Sequence, residues 1–255
     1  MLSLRQLVAG SAIMAAAAIG SAGLALADGY TPPRKVTYER PADWSGFYFG
    51  LHSGYQWSSI DGTFSNGGSG SFSVDHDDWS VGAHIGLQHQ FGVIVLGVEA
   101  NIDSLFRGDD GSTRCPNPTL NCNVRVDDII SVGGRLGYAA GHWMPYITGG
   151  YANAALHYHT SALAPFPFLS TEEARTRNDG WYIGGGVEWI VSPGWTAGLE
   201  YRHYEFDNTS VTTWTTQVTQ GQPIERLTMS AGSDSITARM SWKFGREPAA
   251  APPLK

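Results

Sequence analysis

The sequence predicts an all-β protein. The expected form is an eight-stranded antiparallel transmembrane β-barrel, an up-and-down meander with four long external loops and three short periplasmic turns. Three observations carry this. Segment after segment alternates an apolar face with a face of Gly, Ser and a few charges. The connections between segments alternate short and long, the habit of a barrel with one side in the periplasm and one outside. The tryptophans gather at segment ends. Composition fits. Of 255 residues 15% are charged, against about 25% in an ordinary soluble domain. Aromatics reach 12% and Gly numbers 32. A mean hydropathy of −0.17 excludes a polytopic helical membrane protein, which needs several apolar runs of about 20 residues. A net charge of −7 leaves no basic footprint for nucleic acid.

The chain opens with Arg5 before an Ala-rich apolar stretch from Leu7 to Ala27 that closes Ala25-Leu26-Ala27. This is the pattern of a secretory signal peptide over residues 1–27, with an uncleaved anchor helix as the alternative. Residues 28–43 are Pro-rich and charged and read as an extended periplasmic lead-in. The barrel is expected over 44–244, with a Pro/Ala-rich tail at 245–255.

Seven segments show the strand period clearly. Trp44–Trp57 places Phe47, Phe49, Leu51, Tyr55 and Trp57 opposite Gly46, Tyr48, Gly50, His52 and Gly54. Trp79–Phe91 sets Val81, Ile85 and Leu87 against Gly82, His84 and Gly86. Val93–Asp103, Asp128–Tyr138, Trp181–Ile190, Trp195–Phe206 and Ser235–Phe244 repeat the design. Trp143–Tyr158 lies where an eighth strand is needed, but both its faces are mixed and its inside and outside stay open. Short connections fall near Phe91-Gly92, at 139–142 and at 191–194. Long ones fall at 58–78, 104–127, 159–180 and 207–234.

The facing follows from the polar side. A solvent-facing sheet would carry far more Lys and Glu. Here the polar face is Gly and Ser with Glu99, Asp103, Arg135, Glu188, Glu200, Arg202, Arg239 and Lys243. Four acids and four bases suit a narrow, partly desolvated interior in which charges pair. The set reads as a salt-bridged plug, or alternatively as a gate for a small solute. Two aromatic girdles are expected: Trp57, Trp79 and Trp181 on the long-loop side, and Trp44, Trp143, Trp189, Trp195 and Trp242 on the short-turn side. Cys115 and Cys122 are expected to close one loop as a disulfide, with free thiols as the alternative.

Five phrases, WSGFYFGLHSGYQW (Trp44–Trp57), VLGVEANID (Val95–Asp103), GGRLGYAAGHWMPYITGGYA (Gly133–Ala152), WYIGGGVEWIVSPGWTAGLEYRHYEF (Trp181–Phe206) and ITARMSWKF (Ile236–Phe244), run in order through the whole barrel. In them the chain resembles the small eight-stranded outer-membrane proteins of the opacity-like porin and surface-antigen family of Gram-negative bacteria. The resemblance implies a cell outer-membrane location after cleavage following Ala27, insertion by the outer-membrane assembly machinery, and Phe244 as the assembly signal. The tail Gly245–Lys255 departs from a family that commonly ends at that aromatic.

Chemistry is sparse. A lipid hydrolase needs a serine, a histidine and an acid in mutual reach. His203 sits on a late strand with no serine at compact spacing, and no G-x-S-x-G elbow is present. His157 with His159, and His76 among Asp75, Asp77 and Asp78, are weak cation candidates; the default for the latter is a solvated acidic loop. No cofactor or metal is expected. The expected role is a non-enzymatic structural and surface-presenting protein. Its expected partners are outer-membrane lipid, lipopolysaccharide and an external ligand of the loops. A narrow solute pore and a lipid-modifying enzyme are the alternatives.

Overall fold

The structure, a computed structural model, describes residues 42–65, 70–106, 111–163, 172–215 and 223–244. The expected signal peptide, most of the lead-in and the C-terminal tail lie outside these. Among the described residues nine strands occur: β1 (Gly46–Ser65), β2 (Gly70–Phe91), β3 (Ile94–Phe106), β4 (Gly111–Arg114), β5 (Leu120–Tyr138), β6 (Trp143–Ala162), β7 (Glu172–Ser192), β8 (Trp195–Thr215) and β9 (Pro223–Phe244).

Eight of them close a ring in the order β3-β2-β1-β9-β8-β7-β6-β5, completed by pairing of β3 with β5. Every ring contact is antiparallel. Closure leaves no unpaired edge through the membrane, the condition a sheet must meet in hydrocarbon. The ninth strand, β4, is an addition to the expected meander. It pairs with the outer part of β5, inside what the sequence read as a loop. Each short turn carries a glycine at positive φ: Gly92 (63°), Gly141 (66°) and Gly194 (79°). A Cβ is strained in that region, which is why glycine ends these hairpins.

The four long loops are mostly strand, and this corrects the sequence reading. β1 runs 20 residues, β2 22 and β9 22, about twice the 9–11 needed to cross a bilayer. The physical reason is an exchange of faces. Along β1 the outward residues are Phe47, Phe49, Leu51 and Tyr55, then Ser59, Asp61, Thr63 and Ser65. The inward ones are Tyr48, Gly50, His52 and Gly54, then Ile60, Gly62 and Phe64. The ladder continues unbroken while its polarity inverts near Trp57. Below that level the barrel is apolar outside; above it, apolar inside. On β5 a bulge between Val126 and Asp128 performs the same exchange by shifting parity, so that Val124, Val126 and Ile129 all face inward.

The outer half is therefore a water-facing barrel with its own core: Ile60, Phe64, Phe72, Val124, Leu156, Tyr158, Phe206, Leu227 and Met229 pack within it. Phe64, Phe72 and Tyr158 pack together with ring centroids 5.6–6.1 Å apart, Phe72 stacked on Tyr158 and Phe64 edge-on to it. Eight residues beyond Trp57, at about 3.3 Å each and a tilt near 40°, lift this head about 20 Å above the membrane. Cys115 and Cys122 are joined by a disulfide beside β4, and both are buried against the core of the head.

The inversion also explains the ambiguous segment. β6 faces Trp143, Ile147 and Tyr151 outward, and Met144, Tyr146 and Thr148 inward. Above Tyr151 its inner residues become Ala152, Ala154, Leu156 and Tyr158, so a single rule for the whole segment fails.

Seven of the eight girdle tryptophans face outward, Trp79 at 63% exposure and Trp143 at 53%. Trp44 does not. It is fully buried at the periplasmic mouth with Val95, Met144 and Tyr146, and its indole donates to the Gly141 carbonyl at 3.2 Å. Trp44 precedes β1 and has the even parity of Gly46 and Tyr48, the inward set, so its place at a strand end suggested the girdle while its parity already pointed to the lumen.

Candidate functional site

The inward parity of β3, β5, β7, β8 and β9 brings three glutamates and three arginines to one level of the lumen. Glu99 on β3 is the hub. Its carboxylate meets Arg239 at 2.6 Å, Arg202 at 2.9 Å and Arg135 at 3.5 Å. Glu188 faces Arg135 at 2.9 Å, and Glu200 takes Arg239 at 2.5 Å and Arg202 at 2.6 Å. All six are buried. Three negative and three positive charges cancel, the condition under which ions survive away from water.

Tyrosines complete the layer. The Tyr48 hydroxyl donates to Glu99 and the Tyr146 hydroxyl to Glu200, each at 2.7 Å. The Arg135 guanidinium lies 3.8 Å from the centre of the Tyr146 ring, and Arg202 lies 4.9 Å from that of Tyr182. Tyr48 and Tyr146 are contributors that charge counting alone does not find; on β1 the inward parity already marked Tyr48.

Two of the eight expected charges stand apart. Asp103 pairs with His52 at 2.6 Å. His52 Nδ1 is 3.1 Å from His84 Nδ1, and His84 Nε2 is 2.8 Å from the Ser241 hydroxyl. Asp103, His52, His84 and Ser241 thus form one hydrogen-bonded chain across β3, β1, β2 and β9. It has the residue types of a hydrolase but is enclosed, Ser241 being 3% exposed. Lys243 is the second outlier. Near the end of β9 its ammonium donates to the Asp43 carbonyl, outside the charge layer.

The remaining candidates fall elsewhere. His76 and Asp78 turn inward and pair at 2.6 Å, while Asp75 and Asp77 face out, which corrects the solvated-loop reading for half of that cluster. His157 bonds Glu173 at 3.1 Å on β6–β7 of the head, with the His159 ring 5.9 Å away. Burial, then Arg125 and Arg175, holds His157 below the ordinary histidine value against the pull of Glu173. His203 lies on the outer wall, its Nδ1 2.9 Å from Asp234. Ser233 and Ser235, the serines flanking Asp234, face the lumen.

From the periplasmic side outward, the lumen thus holds the Trp44 cluster, then the six-charge layer with the histidine chain beside it (His52 is the cross-strand partner of Arg239), then the apolar core of the head. Against known proteins, the profile of the outer membrane protein beta-barrel domain matches residues 12–220. The chain belongs to that family. Among its relatives are the 25 kDa outer-membrane immunogenic protein of Brucella abortus, 28% identical over 176 residues (69% of this chain, 72% of that one). The 22 kDa outer membrane protein of Rhizobium leguminosarum bv. viciae is 29% identical over 172 residues, covering 66% of this chain and 68% of that one. Among solved structures, Neisserial surface protein A is similar at 13% identity and a TM-score of 0.37, covering 78% of this chain and 98% of that one. OprG from Pseudomonas aeruginosa is similar at 9% identity and a TM-score of 0.45, covering 79% and 97%. This protein is accordingly an outer-membrane β-barrel protein of a group that includes surface antigens.

Proposed function

We propose that this barrel is a structural element of the outer membrane that carries a rigid surface head, and that it neither conducts solutes nor catalyses a reaction. One observation carries the reading: the lumen is filled twice over, by a neutral layer of six buried ions and, above it, by an apolar core. A solute path would need water beside those charges. The head supports the presentation role, because its rigid strands hold the Ser-, Thr- and Asp-rich outer face about 20 Å from the lipid. Its partners in this reading are outer-membrane lipid and lipopolysaccharide, the assembly machinery acting through Phe244, and an external ligand of the head. Export with cleavage after Ala27 is part of the same proposal, and the intact mass of the protein from outer membranes tests it.

Planar-bilayer recording tests the sealed lumen. The expected trace shows no defined steps above that of a protein-free membrane. Stable steps whose size changes with Glu99→Gln or Arg135→Gln would establish the narrow pore instead. The lipid-modifying alternative has His203 and Asp234 at the lipid-facing wall in its favour. It predicts a change in lipid A mass on expression that His203→Ala abolishes; the sealed structural barrel predicts no change.

A further inference from the structure

The glycines of the barrel fall into two kinds. Those facing the lumen are imposed by space: a Cβ on Gly133 would sit 2.3 Å from the Gly149 carbonyl oxygen, and one on Gly150 2.3 Å from that of Val132. Gly134 and Gly149 face outward, where crowding imposes far less: Gly134 has open space, and Gly149 has one tight approach, to the Tyr182 carbonyl oxygen. A Cβ on Gly134 meets nothing nearer than 3.9 Å, and one on Gly149 nothing nearer than 3.2 Å. They are direct cross-strand partners in the row Val98–Gly134–Gly149–Ile183 across β3, β5, β6 and β7. The next row towards the periplasm is Leu96–Leu136–Ile147–Gly185, with a third outward glycine on β7, and the next towards the exterior is Val132–Tyr151–Trp181. The absent side chains leave a groove of about 610 Å³ in the outer wall. Its sides include Leu96, Leu136, Ile147, Ile183 and Trp181, and its floor is Gly134 and Gly149.

We infer that this groove is a fixed binding site for an acyl chain of an outer-leaflet lipid. Its position identifies the occupant. It opens into the hydrocarbon band just below the Trp181–Tyr151 level, where the wall changes from apolar to polar and Asn153, Asp179 and Arg177 begin. Water finds no partners on an aliphatic lining, and an empty groove would forfeit dispersion contacts on every side. In lipid, association is driven by such packing, and small residues are what permit close approach. A glycine within a strand commonly marks the place where a ligand comes close to the backbone. A second barrel fits less well. It would present a convex wall that rests on the surrounding Val98, Leu136 and Ile183 and bridges the notch, leaving it unfilled.

The test places the full-length protein in nanodiscs containing a phospholipid with a diazirine midway along one acyl chain. Photolabelled positions are then mapped by mass spectrometry. Labelling should concentrate several-fold on Leu96, Leu136, Ile147 and Ile183 over the opposite wall (Phe49, Leu51 and Met240). It should fall to the level of that wall in Gly134→Leu/Gly149→Leu. Heat-modifiable migration of the variant on a gel shows that it is folded, and a milder Gly149→Ala variant should fall between the two. Even labelling around the barrel, or an enrichment that the substitutions leave unchanged, overturns the proposal. So does photo-independent dimerisation through this wall that the double substitution abolishes.

Discussion

Removing the hub of the charge layer has a cost that the geometry sets. Glu99→Gln keeps the shape of the side chain and its capacity to accept from Tyr48, but deletes one of three buried negative charges facing Arg135, Arg202 and Arg239. Two carboxylates then face three guanidinium groups that are buried among protein side chains. Breaking a buried pair in this way costs about 3–5 kcal/mol, because the orphaned charge stays desolvated. At about 1.4 kcal/mol per decade, that is a factor of 10² or more in the folding equilibrium. Reversible urea unfolding in lipid vesicles, followed by tryptophan emission and by heat-modifiability, reads the change directly. The double variant Glu99→Met/Arg202→Met is the sharper arm. It removes one acid and one base while leaving Glu200–Arg239 at 2.5 Å and Glu188–Arg135 at 2.9 Å. It should be more stable than Glu99→Gln despite the extra substitution, a non-additivity expected only of groups that share one network. A Glu99→Gln variant within about 1 kcal/mol of wild type, the size of an exposed ion pair, would refute the reasoning.

In the head, Leu156→Ala should cost about 2–5 kcal/mol, because Leu156 is 1% exposed within the apolar core; amide exchange should report the loosening above Trp57 and not below it. Reducing Cys115–Cys122 opens a closure of sequence separation 7, worth about 2 kcal/mol in chain entropy, and should make the neighbourhood of β4 the first site of proteolytic nicking. For His157 the sign follows from its lowered value: the unfolded chain takes this proton more readily than the folded one. Its contribution is complete above about pH 6.5 and is lost as pH falls below it, so amide exchange in β6–β7 should quicken between pH 7.5 and 5.5, and His157→Gln should flatten that dependence.

What the sequence disclosed was parity, and what it hid was pairing. The outward run Phe47, Phe49, Leu51 and the inward run Glu99, Asn101, Asp103 are legible because one solvent borders each face over the length of a bilayer. The extended strands were missed because Ile60 and Phe64 keep the parity of His52 while the surroundings exchange. Alternation judged by polarity stops there, although the ladder does not. Ile60, Phe64, Phe72 and Val74, all at even positions between serines and aspartates, were the available signal. Partners at |i−j| of 103 and 140, such as Arg202 and Arg239 on Glu99, depend on the shear of the closed ring. No local pattern encodes that shear. The same holds for His52, His84, Asp103 and Ser241, which look scattered along the chain and meet only through register.

The claim on which the rest depends is that one continuous ladder changes its surroundings near Trp57, Trp79 and Trp181. Single spin labels walked along the outward positions of β1 and β2 in lipid vesicles test it most directly. Labels at Leu51 and Ile85 should collide with oxygen and be shielded from a water-soluble nickel complex. Labels at Thr63 and Ser73 should show the reverse, and one at the inward Phe64 should be shielded from both. Oxygen-rich, nickel-poor signals at Thr63 and Ser73, or free nickel access to Phe64, would contradict the account.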